Sequence, residues 1–353
     1  MTHPAYRGAA SGPARVGPGG IRAPVTALGH PGLVPLLAPR PVHGTELLER
    51  LRGGSGARPV VDPGLAGGLR EWLEDALAPA VALVPGTATV RVTKEALNQV
   101  LVCEAHLAAC RARARPLSVE LARGTLVDAL FRQWVTVGAI GDPWADALAA
   151  VEVEGDDDLL AYVAALDAGR RRDLVEEVGR HAAGVGERWP VPGAGWMART
   201  QERLEIPVCG GRVVLAGVID LVLGGPAGPR ASVCLVELKS GGRRLEHRGD
   251  LAFYALLETL RAGAPPFRIA TYYSATGDLD VEPVGEDTLH GALRRVLDGA
   301  AALCRLAAGR EPARTPNPLC AWCAGLPHCP PGQERAGTAV VRAGRLDGGE
   351  AQT

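Results

Sequence analysis

The chain has 353 residues, 47% hydrophobic and 22% charged, which is enough to bury a large core and excludes a wholly disordered protein. Its net charge of −1 excludes a polybasic nucleic-acid binder, though not a local basic groove. No apolar run approaches the roughly 20 residues that span a bilayer, and the first residues lack a secretory apolar core, so the expected compartment is the cytoplasm, with no membrane partner.

Residues 1–43 are rich in Gly, Pro, Ala and Arg and carry little periodicity, which predicts a mostly unstructured start. A short helix is predicted at 45–52, inside a weakly structured N-terminal region ending near residue 85. Helical patterning begins near Gly68 and breaks at 79–86. Residues 89–92 suit a short strand, and Thr93 suits the cap of a helix running to about residue 113. The next helix, about 117–137, places Leu117, Leu121, Gly124, Asp128, Phe131 and Val135 on one face. Asp128 therefore sits in an apolar stripe, where a carboxylate must be paired, protonated or bound to a metal. Pairing with an arginine or a backbone donor is the simpler account.

Residues 141–187 read as helical, within an insertion at about 138–200, and the acidic run 152–158 reads as a solvated loop or helix start. From Leu204 the period changes to that of strands, at 204–209, 212–223 and 232–239. A helix is expected at 249–262. Two strands follow at 269–274 and 279–283, around a Thr-Gly-Asp turn, and then a helix at 287–309. The tail after Gln333 is small and polar.

Two apolar strands joined by a Gly/Pro loop predict an antiparallel hairpin across 215–239. Glu237 and Lys239 share one face, while Val236 and Leu238 point to the other layer. If the loop closes symmetrically around 224–231, Asp220 lies opposite Leu235 and diagonal to Glu237, about 7–8 Å away at the backbone. Two carboxylates converging from there could share a divalent cation, and an adjacent ammonium could orient water or neutralise charge on a phosphate. A structural ion pair at a strand end is the alternative. The chain has only two lysines among 38 basic residues, Lys94 and Lys239, which makes the position of each worth testing for chemistry.

Eight cysteines in a reducing compartment point to buried thiols or metal ligands before disulfides. Cys320, Cys323 and Cys329 fall within ten residues and argue for a metal site with a fourth ligand from elsewhere. Cys209, Cys234 and Cys304 lie in apolar patterns and read as core thiols. His328 beside Cys329 reads as a bystander.

Gly217-Val-Ile-Asp220 followed by Val236-Glu237-Leu-Lys239 resembles the core of the PD-(D/E)XK nucleases, in their RecB-like branch. The resemblance spans roughly residues 90–330 and is similar to CRISPR-associated RecB-like exonucleases and the AddB nuclease domain. It implies an α/β fold, a restriction-endonuclease-like mixed central sheet flanked by helices with an iron–sulfur staple, in a nuclease domain at 86–333 followed by a flexible tail at 334–353. It implies Mg or Mn held by Asp128, Asp220 and Glu237, with Lys239 assisting the attacking water. Asp128 stands where the branch carries a histidine, after Gly124. Asp250 stands where it carries a glutamine, and Tyr254 keeps the branch's tyrosine. Both would lie on one helix face, supporting Lys239 or touching nucleic acid, with core packing the alternative for Tyr254. The branch's iron–sulfur members imply a 4Fe–4S cluster on Cys103, Cys320, Cys323 and Cys329, with Cys110 a weaker upstream choice and zinc the alternative metal.

The expected function is a metal-dependent DNA nuclease, an exonuclease on single-stranded or end-containing DNA. Residues matching GxxxxGK[ST] are absent, so a helicase or a repair or defence protein would be a separate partner. Two alternatives stand beside it: an iron–sulfur DNA-binding or assembly module without strong catalysis, and a structural zinc protein.

Overall fold

The computed structural model describes residues 44–53, 58–112, 116–244 and 246–337. The expectation for residues 1–43, and that for the tail beyond 337, fall outside the described residues. In chain order the elements are α1 (Gly44–Arg52), α2 (Leu65–Val81), β1 (Val90–Val92), α3 (Lys94–Val100), α4 (Glu104–Arg111) and α5 (Val119–Val137). Then come α6 (Pro143–Glu154), α7 (Asp157–Ala164), α8 (Ala168–Arg188), β2 (Arg199–Val208), β3 (Val213–Leu223) and β4 (Cys234–Lys239). The last are α9 (Glu246–Ala262), β5 (Arg268–Tyr273), β6 (Asp278–Pro283) and α10 (Glu286–Ala307).

Capping chemistry sets many of the helix starts. The Thr93 hydroxyl accepts the N–H of Ala96, and that of Ser118 accepts the N–H of Leu121. Asp142, Asp156 and Asp167 cap α6, α7 and α8 in the same way. The single helix expected from Thr93 to about residue 113 is instead two. It breaks at Leu101–Cys103, and Cys103 adopts an extended backbone at the start of α4. That break turns the Cys103 thiol towards the C-terminal segment.

The six strands form one mixed sheet in the order β1-β3-β4-β5-β6, with β2 also paired to β3. β1 is parallel to β3 and β4 to β5, and the other pairs are antiparallel. α9 makes the crossover between the parallel strands β4 and β5, as parallel neighbours require. β2 begins five residues earlier than the hydrophobic pattern predicts. Its first half, Arg-Thr-Gln-Glu-Arg, is polar and only partly buried, and is a strand because β3 pairs with it.

Helices cover both faces. One core gathers Leu69, Leu73 and Leu77 of α2, Leu97 of α3, Leu256 of α9 and Leu293 of α10 against the sheet. α2 precedes the domain start expected near residue 86, yet its leucines are buried in this core. The other core packs Leu130 and Phe131 of α5, Val151 of α6 and Val178 of α8 against Val236, Leu238 and Tyr272. Leu47 and Leu51 of α1 join it.

β2 follows β3 along nearly its whole length, so β1 and β4 must use the opposite edge. There β1 pairs only with Val213–Leu215 and β4 only with Leu221–Leu223. Residues 216–220 lie between these two short ladders. The sheet therefore forks at the middle of β3, and the end of β1 and the outgoing half of β4 flank the opening.

Candidate active site

The hairpin register differs from the symmetric expectation. Leu221 pairs with Val236 and Leu223 with Cys234, so the ladder extended by one step would set Asp220 opposite Glu237. The difference is two residues, which preserves the face. Its cause is Gly224, which turns out of the ladder with φ +91; a Cβ there would lie 2.4 Å from the Ser232 carbonyl oxygen.

At the fork the Asp220 carboxylate takes over from the backbone ladder. Its Oδ2 accepts the N–H of Leu238 at 2.8 Å. Asp220 and Glu237 are both buried, Glu237 completely. Lys239 Nζ donates to Glu237 Oε1 at 2.8 Å. Lys94 Nζ, at the first residue of α3, donates to the same oxygen at 2.5 Å. The only two lysines of the chain therefore meet on one carboxylate oxygen. Burial works against the charge of Lys94, but Glu237, Tyr254, Glu95 and Asp220 outweigh it and hold its pKa well above the ordinary lysine value.

Tyr254 is buried, and the Lys94 ammonium lies 4.9 Å from its ring centroid. Burial raises its hydroxyl pKa. It fits because residue 217 is glycine: a Cβ there would stand 2.4 Å from Tyr254 Cε1. Asp250 lies one turn earlier on α9 and accepts from Asn98 Nδ2 at 2.9 Å. Burial raises its pKa, against the pull of Lys94 and Lys239. Core packing and the polar cluster are thus combined at Tyr254.

Asp128 lies on α5, buried, as the helical stripe predicts. It pairs with Arg132 at 3.2 Å and accepts from Gln201 Nε2 at 3.0 Å. Gln201 sits on β2 between the pairs Thr200↔Leu221 and Glu202↔Ile219, beside Asp220, with a left-handed φ of 53. Asp128 is thereby tied to the strand next to the fork. Among the described residues, no three His, Cys, Asp or Glu side chains stand close enough together to enclose a metal ion.

Cys103, Cys320, Cys323 and Cys329 line one cavity of about 300 Å³ between α4 and the C-terminal segment. Backbone N–H groups point at two of the sulfurs, Thr315 at Cys103 and Asn317 at Cys320, at 3.5 and 3.3 Å. His106 lines the cavity too; its ring nitrogens lie 3.4 Å from Cys323 Sγ and 3.5 Å from Cys110 Sγ. None of the eight cysteines, all among the described residues, forms a disulfide, and Cys234 and Cys304 are buried core residues. Cys209 is half-buried and donates towards a carbonyl of α2.

Lys94, Gln201, Asn98 and His106 were not assigned to a site from the sequence. Only Lys94 carried a signal, its rarity in an arginine-rich chain.

A family model described as the PD-(D/E)XK nuclease superfamily matches residues 91–330. Among solved structures, the chain is similar to one from Eubacterium rectale provisionally named an exonuclease. The two are 14% identical over 69% of this chain and 88% of that one, with a TM-score of 0.41. It is also similar to SSO0001, 16% identical over 67% of this chain and 94% of that one, with a TM-score of 0.26. Both scores are low, and the family rests on the family model. No curated protein matches the chain.

Proposed function

The chain belongs to the PD-(D/E)XK nuclease superfamily, and from that membership we propose that it is a metal-dependent deoxyribonuclease of the RecB-like branch, an exonuclease on single-stranded or end-containing DNA. The carrying observation is the fork itself. Two buried carboxylates stand on the strands that part there, and a lysine on the same strand face as Glu237 is bonded to it.

The donor set fits Mg or Mn. Carboxylate oxygens suit hard cations, and Asp220 and Glu237 would hold the ion, with Asp128 of α5, now paired with Arg132 and Gln201, the third proposed donor. When bound, the ion would supply Lewis-acid stabilisation of charge on a phosphate oxygen. Asp220 fixes the outgoing half of β4 through the Leu238 amide. Glu237 anchors Lys239, whose ammonium would orient the attacking water or neutralise charge developing on the phosphate. Asp250 and Tyr254 support this group from α9. No helix among the described residues is long and apolar enough to cross a membrane.

The shared lining of the cysteine cavity supports a thiolate-bound group there. Four thiols line it, and two of them receive backbone N–H groups, the hydrogen bonding that tunes cluster sulfurs. Cys103, Cys320, Cys323 and Cys329 would hold a 4Fe–4S cluster, with zinc the alternative, joining α4 to the C-terminal segment.

The test is anaerobic incubation with end-labelled single-stranded DNA and Mn, beside Lys239→Ala. Cleavage by the native chain and its loss in the variant supports the reading. No cleavage by either, from protein that retains its thiolate-bound group, favours a DNA-binding or assembly module working with a separate helicase or repair or defence protein.

A further inference from the structure

Lys94 has no place in the motif that identifies the fork. It comes from a different element, α3, 143 residues before Glu237, and it is only 8% exposed. A long ammonium-bearing side chain does not enter such a place for packing alone, since burying a charge is costly unless it is paired. Its partner is Glu237 Oε1, which Lys239 also holds. Two ammonium groups on one carboxylate oxygen overcompensate its charge. The second of them stands where a cation arriving at Glu237 would meet like charge.

We propose that Lys94 is a positioning residue that holds Glu237 in the cation-free protein and yields it when a divalent cation is taken up, so that cation loading is gated by the Lys94–Glu237 bond. The proposal rests on the reading above that Glu237 is a cation ligand. Lys239 shares the strand of Glu237 and has a role beside the reacting phosphate. Lys94 reaches the site through the carboxylate and the Tyr254 ring. Of the two, Lys94 is the ammonium that comes from outside the paired strands. Its positive charge would find a second station over the face of Tyr254, where it already lies 4.9 Å from the ring centroid.

The composition supplies the test. With two lysines in the chain, full-length protein carrying 13C at lysine Cε gives two side-chain resonances, assigned through Lys94→Arg. Mg2+ alone is added, and its binding is followed in parallel by calorimetry. The expected result is that Mg2+ binds and the Lys94 resonance shifts in proportion to occupancy. In Lys94→Met, Mg2+ affinity rises about tenfold, as when one like charge is removed beside a binding site; Lys94→Arg restores the weaker binding. Mg2+ binding that moves only the Lys239 resonance overturns the proposal while leaving Glu237 as a ligand. Unchanged or weaker Mg2+ binding by folded Lys94→Met overturns it too. Absence of Mg2+ binding to the native chain overturns both the proposal and the cation reading beneath it. If Lys94→Met does not fold, the native resonances alone decide.

Discussion

The Asp220 carboxylate accepts the backbone N–H of Leu238 across the point where β3 and β4 part. A side chain thus stands in for a rung of the ladder. The same residue that would bind a cation also sets the direction in which Glu237 and Lys239 leave the sheet. Replacing Asp220 with alanine strands a buried N–H, at a cost of about 1–3 kcal/mol. Asp220→Asn retains an acceptor oxygen, so it should keep most of the stability and lose cleavage. Chemical denaturation beside a nuclease assay separates the two, and equal instability in both variants would sink the argument.

Lys239→Ala should abolish cleavage while the fold survives, because the Lys94–Glu237 pair remains. Glu237→Ala is a harsher change than Lys239→Ala. It leaves two buried ammonium groups without their carboxylate and should destabilise by about 3–5 kcal/mol. The check is the urea midpoint of each variant. A Glu237→Ala chain as stable as the native one would contradict the shared-oxygen arrangement.

How much of this was legible beforehand depends on the residue. Strand alternation put Glu237 and Lys239 on one face, and helical spacing put Asp128 in a buried stripe; both are local periodicities. The hairpin register was not legible, because it turns on the backbone conformation of Gly224. The first half of β2 was hidden by its polar side chains, which only pairing with β3 makes strand. Lys94 escaped for a different reason. Its contact with Glu237 spans 143 residues, and sequence spacing says nothing about such distances.

Gly217→Ala should destabilise by about 1–3 kcal/mol, since the new methyl would meet Tyr254 Cε1 at 2.4 Å inside a packed core. The displaced ring would also lose its place beneath Lys94. Thermal unfolding, with tyrosine absorbance as a local probe, reads both effects; a neutral Gly217→Ala would show that the ring has room to move.

His181 is buried against Ser274, with its Nδ1 2.9 Å from the hydroxyl, and burial together with Arg123 lowers its pKa to about 4. The unfolded chain binds that proton near pH 6.5, so the contribution is present above pH 6.5 and is lost as pH falls towards 4. The slope from this group is at most about 1.4 kcal/mol per pH unit. His181→Asn can keep a hydrogen bond to Ser274 without titrating. Between pH 7 and pH 4 the native chain should lose stability relative to the variant, so the difference between them should grow towards the acid end. A difference that does not change with pH would refute the buried neutral histidine.

Cys320→Ala should remove the colour of a thiolate-bound iron cluster and lower the melting temperature, while the carboxylates at the fork stay in place. Absorbance near roughly 400 nm and metal analysis would follow the loss. A fully coloured and stable variant would show that this thiol is not a ligand.

The cysteine cavity is assembled from distant parts of the chain, Cys103 on one side and Cys320, Cys323 and Cys329 on the other. The fork is complete earlier in the chain, once β5 has paired with Glu237–Lys239 of β4. Proteins are made from the N-terminus, and folding follows that order. On the ribosome, the sheet and its carboxylates therefore emerge while the cavity still lacks three of its thiols. Any metal taken up by the proposed cysteine site would therefore enter after the sheet, on a chain whose fork is already in place.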